Sequence, residues 1–365
     1  MKGPDAPGPA LDLPVGLSVG LASQPLETTV QLAEEGERAG LDFVSVGDAG
    51  VDTFTLLGAI AARTTRIRLM SGIATWSRSP LTMATAAKTV NNLSGGRFLL
   101  GIGPMPRTWA TQWHGLQYDP VVARMREYLI AVRACLDASV DRPATVPGKY
   151  FPVTAYPGHP VTPEVRVPVA LAATLPAMTR LAAELTDAVM LNVIQPREQV
   201  SGPGPGLIAE GLARAGRSRA DIEVGLMRFC AVDEDRATAY DRARRSIAFY
   251  FGIPYFRPLL EPWGFNAELD AGEAAVARDD REAAVAAVSD RLVDSVAVAG
   301  TPDEVLAKLA RYGEYVDWIQ VSCGLNLPGE VAGSQARQLA ALLGATRATA
   351  RSAKSGVIGF IEHGN

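Results

Sequence analysis

Short apolar runs rich in β-branched residues recur along the chain, and a segment with helical spacing of its apolar positions follows each run. The pattern predicts eight strands, at 15–20, 42–47, 67–74, 97–103, 167–172, 187–192, 223–232 and 317–323. Strands that alternate with helices indicate an α/β protein with a parallel sheet, and at this length a closed (β/α)8 TIM barrel. A doubly wound open sheet is the alternative.

Three segments are longer than such a barrel requires, namely 104–118, 140–166 and 253–300. They predict insertions after strands 4 and 7, where loops of this fold build the active site. The piece SGPGPG at 201–206 is expected to be a flexible loop after strand six.

The same pattern predicts the domain organisation. Residues 14–345 are expected to form a single barrel domain, residues 1–13 a disordered N-terminal segment, and residues 346–365 a C-terminal tail.

Composition narrows the class of protein. A hydrophobic content of 48% with 20% charged residues is typical of a globular chain, and 35 basic against 39 acidic residues favour no nucleic-acid partner. No apolar run approaches the roughly 18 residues that span a bilayer, so no membrane association is expected. Three cysteines form no disulfide framework and no zinc motif, and we expect a cytoplasmic protein.

Two glycine-rich turns surround a short strand in NNLSGGRFLLGIGPMP. Ser94, Gly95 and Gly96 are interpreted as a helix end. Gly101 and Gly103 resemble the start of a dinucleotide fingerprint, but the following prolines and the missing third glycine argue against that reading. Either the strand approaches a flat or anionic ligand, or it approaches a neighbouring strand.

Residues at the predicted strand ends are the candidates for chemistry. Gly72, within MSGIATWSRSP, indicates a bulge or packing relief. Asp48 is either a site acid or a helix N-cap, although Asp52 is better placed for capping. The loop tryptophans either form a lid core or contact a planar substrate; they are Trp76, Trp109 and Trp113. His114, His159 and His363 have no ligand spacing, so no metal is expected.

Several segments in succession resemble the luciferase-like monooxygenase superfamily. They are AEEGERAGLDFVSVGD, LLGAIAARTTRIRLMSGI, SPLTMATAAKTVNNLSGGRFLLGIG, RMREYL and AELTDAVMLN. The order of AELTDAVMLN, AVDEDRATA and VAGTPDEVLAKL is similar to that in the coenzyme F420-dependent branch, which contains the methylene-tetrahydromethanopterin reductases.

The resemblance implies a barrel that binds a deazaflavin at the C-terminal ends of its strands, with a non-prolyl cis peptide between Gly72 and Ile73 backing the ring. The cofactor-binding residues carried over by position are Asp48, Gly72, Ile73, Ala74, Thr75, Gly103, Pro104, Ala172, Ala173, Thr174, Ala188, Val189 and Arg228.

The chain departs from the relatives at their acid/base positions. Ser18 stands where the reductases have a strand-one glutamate, and Ala49 stands where the alcohol and sugar-phosphate dehydrogenases have a histidine after the strand-two aspartate. Ala188 replaces a usual glycine. The candidate catalytic groups are therefore Asp48, Ser18 and His114.

The resemblance implies an F420-dependent oxidoreductase that transfers hydride to an activated C=C, C=N or carbonyl bond of a bulky biosynthetic intermediate or modified peptide. A two-component FMN-dependent monooxygenase is the first alternative, and a non-catalytic flavin-binding barrel is the second. A homodimer is expected.

Overall fold

The computed structural model describes residues 11–19, 25–48, 50–158, 165–323 and 329–353. Within them the strands are β1 (Val15–Val19), β2 (Phe43–Val46), β3 (Arg68–Ser71), β4 (Ala74–Thr75), β5 (Phe98–Gly103), β6 (Ala144–Val146), β7 (Val153–Tyr156), β8 (Val169–Ala173), β9 (Ala188–Leu191), β10 (Glu223–Val232), β11 (Ala297–Gly300) and β12 (Trp318–Ser322).

Eight of these strands close a parallel barrel in the order β1, β2, β3, β5, β8, β9, β10 and β12. Closure is complete because β9 pairs with β10 and β12 pairs with β1, with Val15 beside Ile319. All eight predicted strands are present. The closed barrel is confirmed and the open sheet is excluded.

Helices surround the barrel. They are α1 (Leu26–Ala39), α2 (Thr53–Arg63), α3 (Pro80–Leu93), α4 (Val121–Leu136), α5 (Pro176–Leu185), α6 (Arg197–Ser201), α7 (Gly204–Arg214), α8 (Arg236–Ala248), α9 (Phe256–Leu260), α10 (Asn266–Ala277), α11 (Arg281–Ala286), α12 (Asp290–Val296), α13 (Pro302–Tyr312) and α14 (Gly329–Ala353). Across the described ranges, no helix has the length and apolar character needed to cross a bilayer.

The two faces of each strand pack differently. Outward side chains such as Leu17 and Val44 join the large cluster between sheet and helices, whereas inward ones fill the barrel. The inward layer near the strand starts is apolar and consists of Phe43, Met70, Leu99, Ala170, Ala188, Met190 and Trp318. This packed lower layer leaves the carboxyl ends of the strands as the place for a site.

The insertions carry secondary structure of their own. After β5, a short π-helical turn covers Trp109–Trp113, and the antiparallel strands β6 and β7 follow α4. The second insertion contains α9 to α12 and ends in β11, which pairs with Phe229–Val232 on β10. Its side chains join Phe229 of β10 and Ile247 of α8 in a second hydrophobic cluster around Phe251, Phe256 and Leu292.

The structure corrects several expectations about the connections. The sequence pattern missed β6, β7 and β11, because three- or four-residue strands are too short to show a period. The expected flexible loop at 201–206 is instead the end of α6 and the start of α7. Leu11 and Leu13 are buried, so the packed domain begins before residue 14, and α14 continues past residue 345 to Ala353.

Each of the two glycine turns in NNLSGGRFLLGIGPMP has its own structural role. The first ends α3, since Gly95 and Gly96 have φ angles of 66° and 87°. In the second, a Cβ at Gly101 would lie 2.0 Å from the carbonyl oxygen of Ser71 on β3. Of the two alternatives for this glycine, close approach to a neighbouring strand is therefore confirmed.

Candidate active site

A cavity of about 330 Å³ lies at the carboxyl ends of five consecutive barrel strands. We name it the mouth pocket. The strand ends contribute Asp48, Ile73, Pro104, Ala172 and Asn192 to its wall, and loop residues, including Trp109, Tyr118 and Tyr255, complete it. The volume lies at the lower end of the range of small-molecule sites, and most of the lining is apolar.

A break in the third barrel strand shapes one side of the mouth pocket. Between β3 and β4 the peptide bond joining Gly72 and Ile73 is cis, as the family resemblance implies. The amide of Asp48 donates to the Ile73 carbonyl at 2.9 Å, and the amide of Gly72 donates to the Val46 carbonyl at 2.8 Å. Gly72 and Ile73 thereby become part of the pocket wall.

Asp48 connects this bulge to the loop that follows it. Its Oδ2 accepts from the Thr75 amide at 2.8 Å and from the Thr75 hydroxyl at 3.2 Å. Both carboxylate oxygens accept from the Arg78 guanidinium. Capping of α2 falls mainly to Asp52, which accepts from the Thr55 amide at 2.8 Å. Asp48 is therefore placed at the site, but its oxygens are already occupied.

Arg78 is a site-supporting residue that the sequence reasoning did not identify. Burial opposes its charge, but hydrogen bonds and ion pairs with Asp48 and Asp52 outweigh burial and raise the pKa of Arg78. Its carbonyl accepts from the Tyr128 hydroxyl at 2.9 Å, and its guanidinium lies 5.1 Å from the ring centre of Phe54. The sequence contains one indication of this role, because Arg78 lies in the short loop that follows a strand with a predicted bulge.

The opposite wall carries neutral polar groups. Asn192 donates through Nδ2 to the Thr174 hydroxyl at 3.1 Å. Tyr118 and Tyr255 come from the two insertions, and both line the mouth pocket. Burial raises the pKa of Tyr118, and it raises the pKa of Tyr255 to about 12, to which Tyr118 also contributes. Both phenols are therefore protonated at neutral pH.

The structure brings eight of the predicted residues together. Those lining the mouth pocket are Asp48, Gly72, Ile73, Thr75, Pro104, Trp109, Ala172 and Thr174. Gly103 lies just behind them, where a Cβ would come within 2.5 Å of the Ile73 side chain and 3.0 Å of the Ala172 methyl.

Besides Gly103, five of the residues carried over by position do not line the pocket. Ala74, Ala173 and Val189 point out of the barrel into the large cluster. Ala188 lies in the apolar layer near the strand starts, so its methyl does not stand beside a ligand at the mouth. Arg228 is fully buried, and its guanidinium donates to the Tyr312 hydroxyl at 2.9 Å and to the Val193 carbonyl at 3.1 Å.

Ser18 belongs to a polar layer inside the barrel. It is Cα-paired with Ser45 on β2 and with Ser322 on β12, and Gln320 lies two residues before Ser322. Within the described ranges, the side-chain polar atoms of all four residues are buried without a hydrogen-bond partner. A Cβ at Gly72 would lie 3.1 Å from Ser45 Oγ and 3.2 Å from each polar atom of Gln320, which locates the layer beneath the bulge.

The three tryptophans that the sequence predicts as substrate contacts lie in different environments. Trp76 is 3% exposed and packs edge-on against Tyr118 at 5.7 Å, so it belongs to the core of the lid. Trp109 lines the pocket, and Trp113 stacks on Trp109 at 4.7 Å while remaining 65% exposed. His114 is exposed at the end of that turn and does not line the pocket. Ala49 and His159 lie outside the described residues, as does His363.

A larger cavity of about 650 Å³ lies on the outer wall among α6, α8, α12 and α13. Charged side chains of its wall pair with each other, as Lys308 does with Asp294 at 2.7 Å. Among the described residues, no three His, Cys, Asp or Glu side chains gather as metal ligands. The mouth pocket is accordingly the candidate active site.

Comparison with known proteins found a matching family and similar sequences. The profile of the family described as Luciferase-like monooxygenase matches residues 12–317. A Mycobacterium tuberculosis protein named "Putative coenzyme F420-dependent oxidoreductase" is 29% identical over 353 residues, which cover 90% of this chain and 98% of that protein. A 5,10-methylenetetrahydromethanopterin reductase of Archaeoglobus fulgidus is 29% identical over 299 residues, covering 78% of this chain and 84% of the reductase.

A solved structure shows the same fold. The coenzyme F420-dependent tetrahydromethanopterin reductase of Methanopyrus kandleri superposes with a TM-score of 0.77 at 21% identity, covering 91% of this chain and 97% of the reductase.

Proposed function

The chain belongs to the luciferase-like monooxygenase family, and from this premise we propose that it is a coenzyme F420-dependent oxidoreductase. The observation that carries the proposal is the mouth pocket itself, with its wall formed by the Gly72–Ile73 bulge at the carboxyl end of the third barrel strand. The F420 dependence named for the mycobacterial relative supports the choice of cofactor.

The residues present fit a planar, largely apolar ring. Ile73, Pro104, Met105 and Ala172 give the pocket apolar walls, and a cavity of about 330 Å³ has room for a fused ring system. Gly103 supports the fit, because a side chain there would collide with Ile73 and Ala172 and push them into the cavity. Ile73 of the bulge and Ala172 at the end of β8 are among the residues that would hold the ring.

When bound in its reduced form, the deazaflavin supplies a hydride from its C5 carbon. The protein's own contribution is to hold the acceptor beside the ring and to exclude water. Trp109 and Tyr118 cover the pocket from the first insertion, and Tyr255 covers it from the second. The acceptor in this proposal is an activated C=C, C=N or carbonyl compound.

We assign Asp48 a positioning role in this function. Its carboxylate accepts from Thr75 and Arg78, so it holds the bulge and the following loop in place. Both oxygens accept from the Arg78 guanidinium, so the carboxylate is engaged with the protein rather than with a substrate.

The test is a titration of the purified protein with F420 and with FMN, followed by ligand fluorescence. We expect saturable quenching with F420. The variant Ala172→Leu, which fills the pocket, should weaken F420 binding tenfold or more, whereas Ala267→Leu on the exposed face of α10 should not change it. Tight binding of FMN with no response to F420 would instead favour the monooxygenase alternative, and binding of neither would overturn the proposal.

Two further properties belong to the same proposal. We infer a homodimer in the cytoplasm that acts on a small molecule or a modified peptide. The three buried free cysteines are consistent with a reducing compartment. Sedimentation of the purified protein tests the dimer, since a single species at the monomer mass would contradict it.

A further inference from the structure

We propose that the mouth pocket takes a conjugated carbonyl compound as its acceptor, and that the hydroxyls of Tyr118 and Tyr255 bind the oxygen on which negative charge develops. This inference rests on the proposed function and narrows its acceptor class. It also assigns a chemical role to two residues outside the candidate catalytic set of Asp48, Ser18 and His114.

The first observation is the state of the two hydroxyls. Both residues line the mouth pocket, and across the described ranges neither phenol oxygen has a hydrogen-bond partner. Both residues are only half-buried, so each hydroxyl is open to the pocket and free to donate to a ligand oxygen. Two such donors in one pocket form a ready site for an acceptor oxygen.

The second observation is that each ring is held in place. Tyr118 packs edge-on against Trp76 at 5.7 Å, and the Arg107 guanidinium lies 4.8 Å from its ring centre. Tyr255 packs against the second hydrophobic cluster. The two rings are therefore held by different hydrophobic clusters, Tyr118 by the large one and Tyr255 by the second.

The third observation is the charge of the pocket. An iminium acceptor is cationic and calls for a free carboxylate, but the carboxylate of Asp48 is paired with Arg78. The other polar lining groups are neutral, namely Thr75, Thr174 and Asn192 with the two phenols. Neutral donors in an apolar cavity favour a transition state that places negative charge on oxygen.

Raised phenol pKa values are compatible with this role. Because burial raises the pKa of Tyr255 to about 12, its proton stays on the phenol at neutral pH and remains available for donation. A donor of this kind stabilises an enolate oxygen by hydrogen bonding without first losing its own proton.

The reaction balances as a two-electron conjugate reduction. A hydride from the reduced deazaflavin forms a C–H bond at the β-carbon of the C=C–C=O system, the C=C π electrons move to form an enolate, and the oxygen is bound by the two phenols. A proton from solvent then adds at the α-carbon. The acceptor is reduced to the saturated carbonyl compound, and the deazaflavin, oxidised by loss of the hydride, returns one ring proton to solvent.

The test uses 4-nitrophenol as a probe, because its ionised form carries one charged oxygen and its absorbance reports ionisation. Wild-type protein should bind the phenolate more tightly than neutral nitrobenzene. Tyr255→Phe and Tyr118→Phe should each weaken phenolate binding about tenfold or more, as expected for charge-assisted hydrogen bonds, with nitrobenzene binding unchanged. Tyr315→Phe, outside the mouth pocket, serves as the matched control.

The outcomes separate this inference from the proposed function. Equal binding of phenolate by the wild type and both mouth-pocket variants would overturn the role of the phenols, provided that their unfolding midpoints and F420 affinities match the wild type. If a variant loses F420 binding as well, the phenols hold the cofactor and the inference is wrong. If the wild type binds no F420 yet binds phenolate through the tyrosines, the cofactor proposal fails and the oxyanion site stands.

Discussion

Asp48 and Arg78 form a two-point ion pair at the edge of the mouth pocket, with side chains that are 13% and 18% exposed. Arg78 also contacts Asp52 at 2.6 Å, so one guanidinium joins the end of β2 to the N-cap of α2. The same carboxylate accepts from the Thr75 amide at 2.8 Å. Two loops of the barrel mouth are thus held by a single charged residue.

The ion pair gives the first prediction. Arg78→Met leaves Asp48 as an uncompensated, mostly buried charge, and we expect a loss of about 2–4 kcal/mol in the free energy of unfolding. Urea denaturation measures the loss. The matched control is Arg107→Met, whose pair with Asp119 is more than half exposed on both sides and should leave the unfolding midpoint unchanged. Similar stability of Arg78→Met and the wild type would contradict a supporting role for Arg78.

The polar layer inside the barrel gives the second prediction. Both polar atoms of Gln320 are buried without a partner among the described residues, so Gln320→Leu removes an unsatisfied amide while keeping the volume. We expect the unfolding midpoint to rise by about 2 °C or more. Gln335→Leu is the matched control, since Gln335 bonds both the amide and the carbonyl of Val232 at 2.9 and 3.0 Å and its loss should destabilise. A fall in midpoint for Gln320→Leu would show that the amide has a structural partner.

The tryptophans give the third prediction. Trp76→Ala should cost about 3–5 kcal/mol in the free energy of unfolding, because it leaves a cavity in the packed lid. Trp113→Ala removes a side chain that is 65% exposed, and it should leave stability unchanged within about 0.5 kcal/mol. Calorimetry measures the change in unfolding free energy for each of the two variants. A stable Trp76→Ala protein with weakened ligand binding would restore Trp76 as a substrate contact.

The fourth prediction concerns pH. Burial opposes the charge of Asp187, but Arg133, the Val169 amide and Arg166 outweigh it and lower the pKa of this carboxyl. A lowered native pKa contributes stability that is complete above the unfolded-state value of about 3.9 and is lost as pH falls through the native value. Asp187→Asn should therefore be less stable than the wild type by about 1–3 kcal/mol at pH 7. Denaturation at several pH values should show this gap closing below about pH 4, and a constant gap would contradict the assignment.

Strand faces explain much of what the sequence could and could not predict. The eight strands and the bulge at Gly72 are visible in the apolar pattern and the family resemblance. Arg228 does not line the pocket because side chains alternate along β10: its neighbours Met227 and Phe229 pack in the second cluster, and Arg228 points the other way, to Tyr312 on α13. The same alternation explains why Ala173 points out of the barrel while its neighbour Ala172 lines the mouth pocket.

The insertions were the part that local pattern could not place. Tyr255 lies in a segment without strand or helix periodicity, and its position over the mouth depends on contacts with the second cluster. Asn192 was missed because it lies one residue beyond β9, where side-chain direction depends on its bonds to Thr174 and to the Ile194 amide. Such positions follow from tertiary packing rather than from the order of residues.

The hydrophobic cluster that contains the second insertion also affects how the molecule opens. Helices whose apolar side chains join a cluster distinct from the main core can exchange their amides with solvent as one cooperative unit, while the barrel strands stay protected. Amides of α10 and α11 should then share one opening free energy, lower than that of β1 and β2. Because Tyr255 belongs to this unit, each opening event would also uncover the mouth pocket, linking exchange of these helices to ligand release.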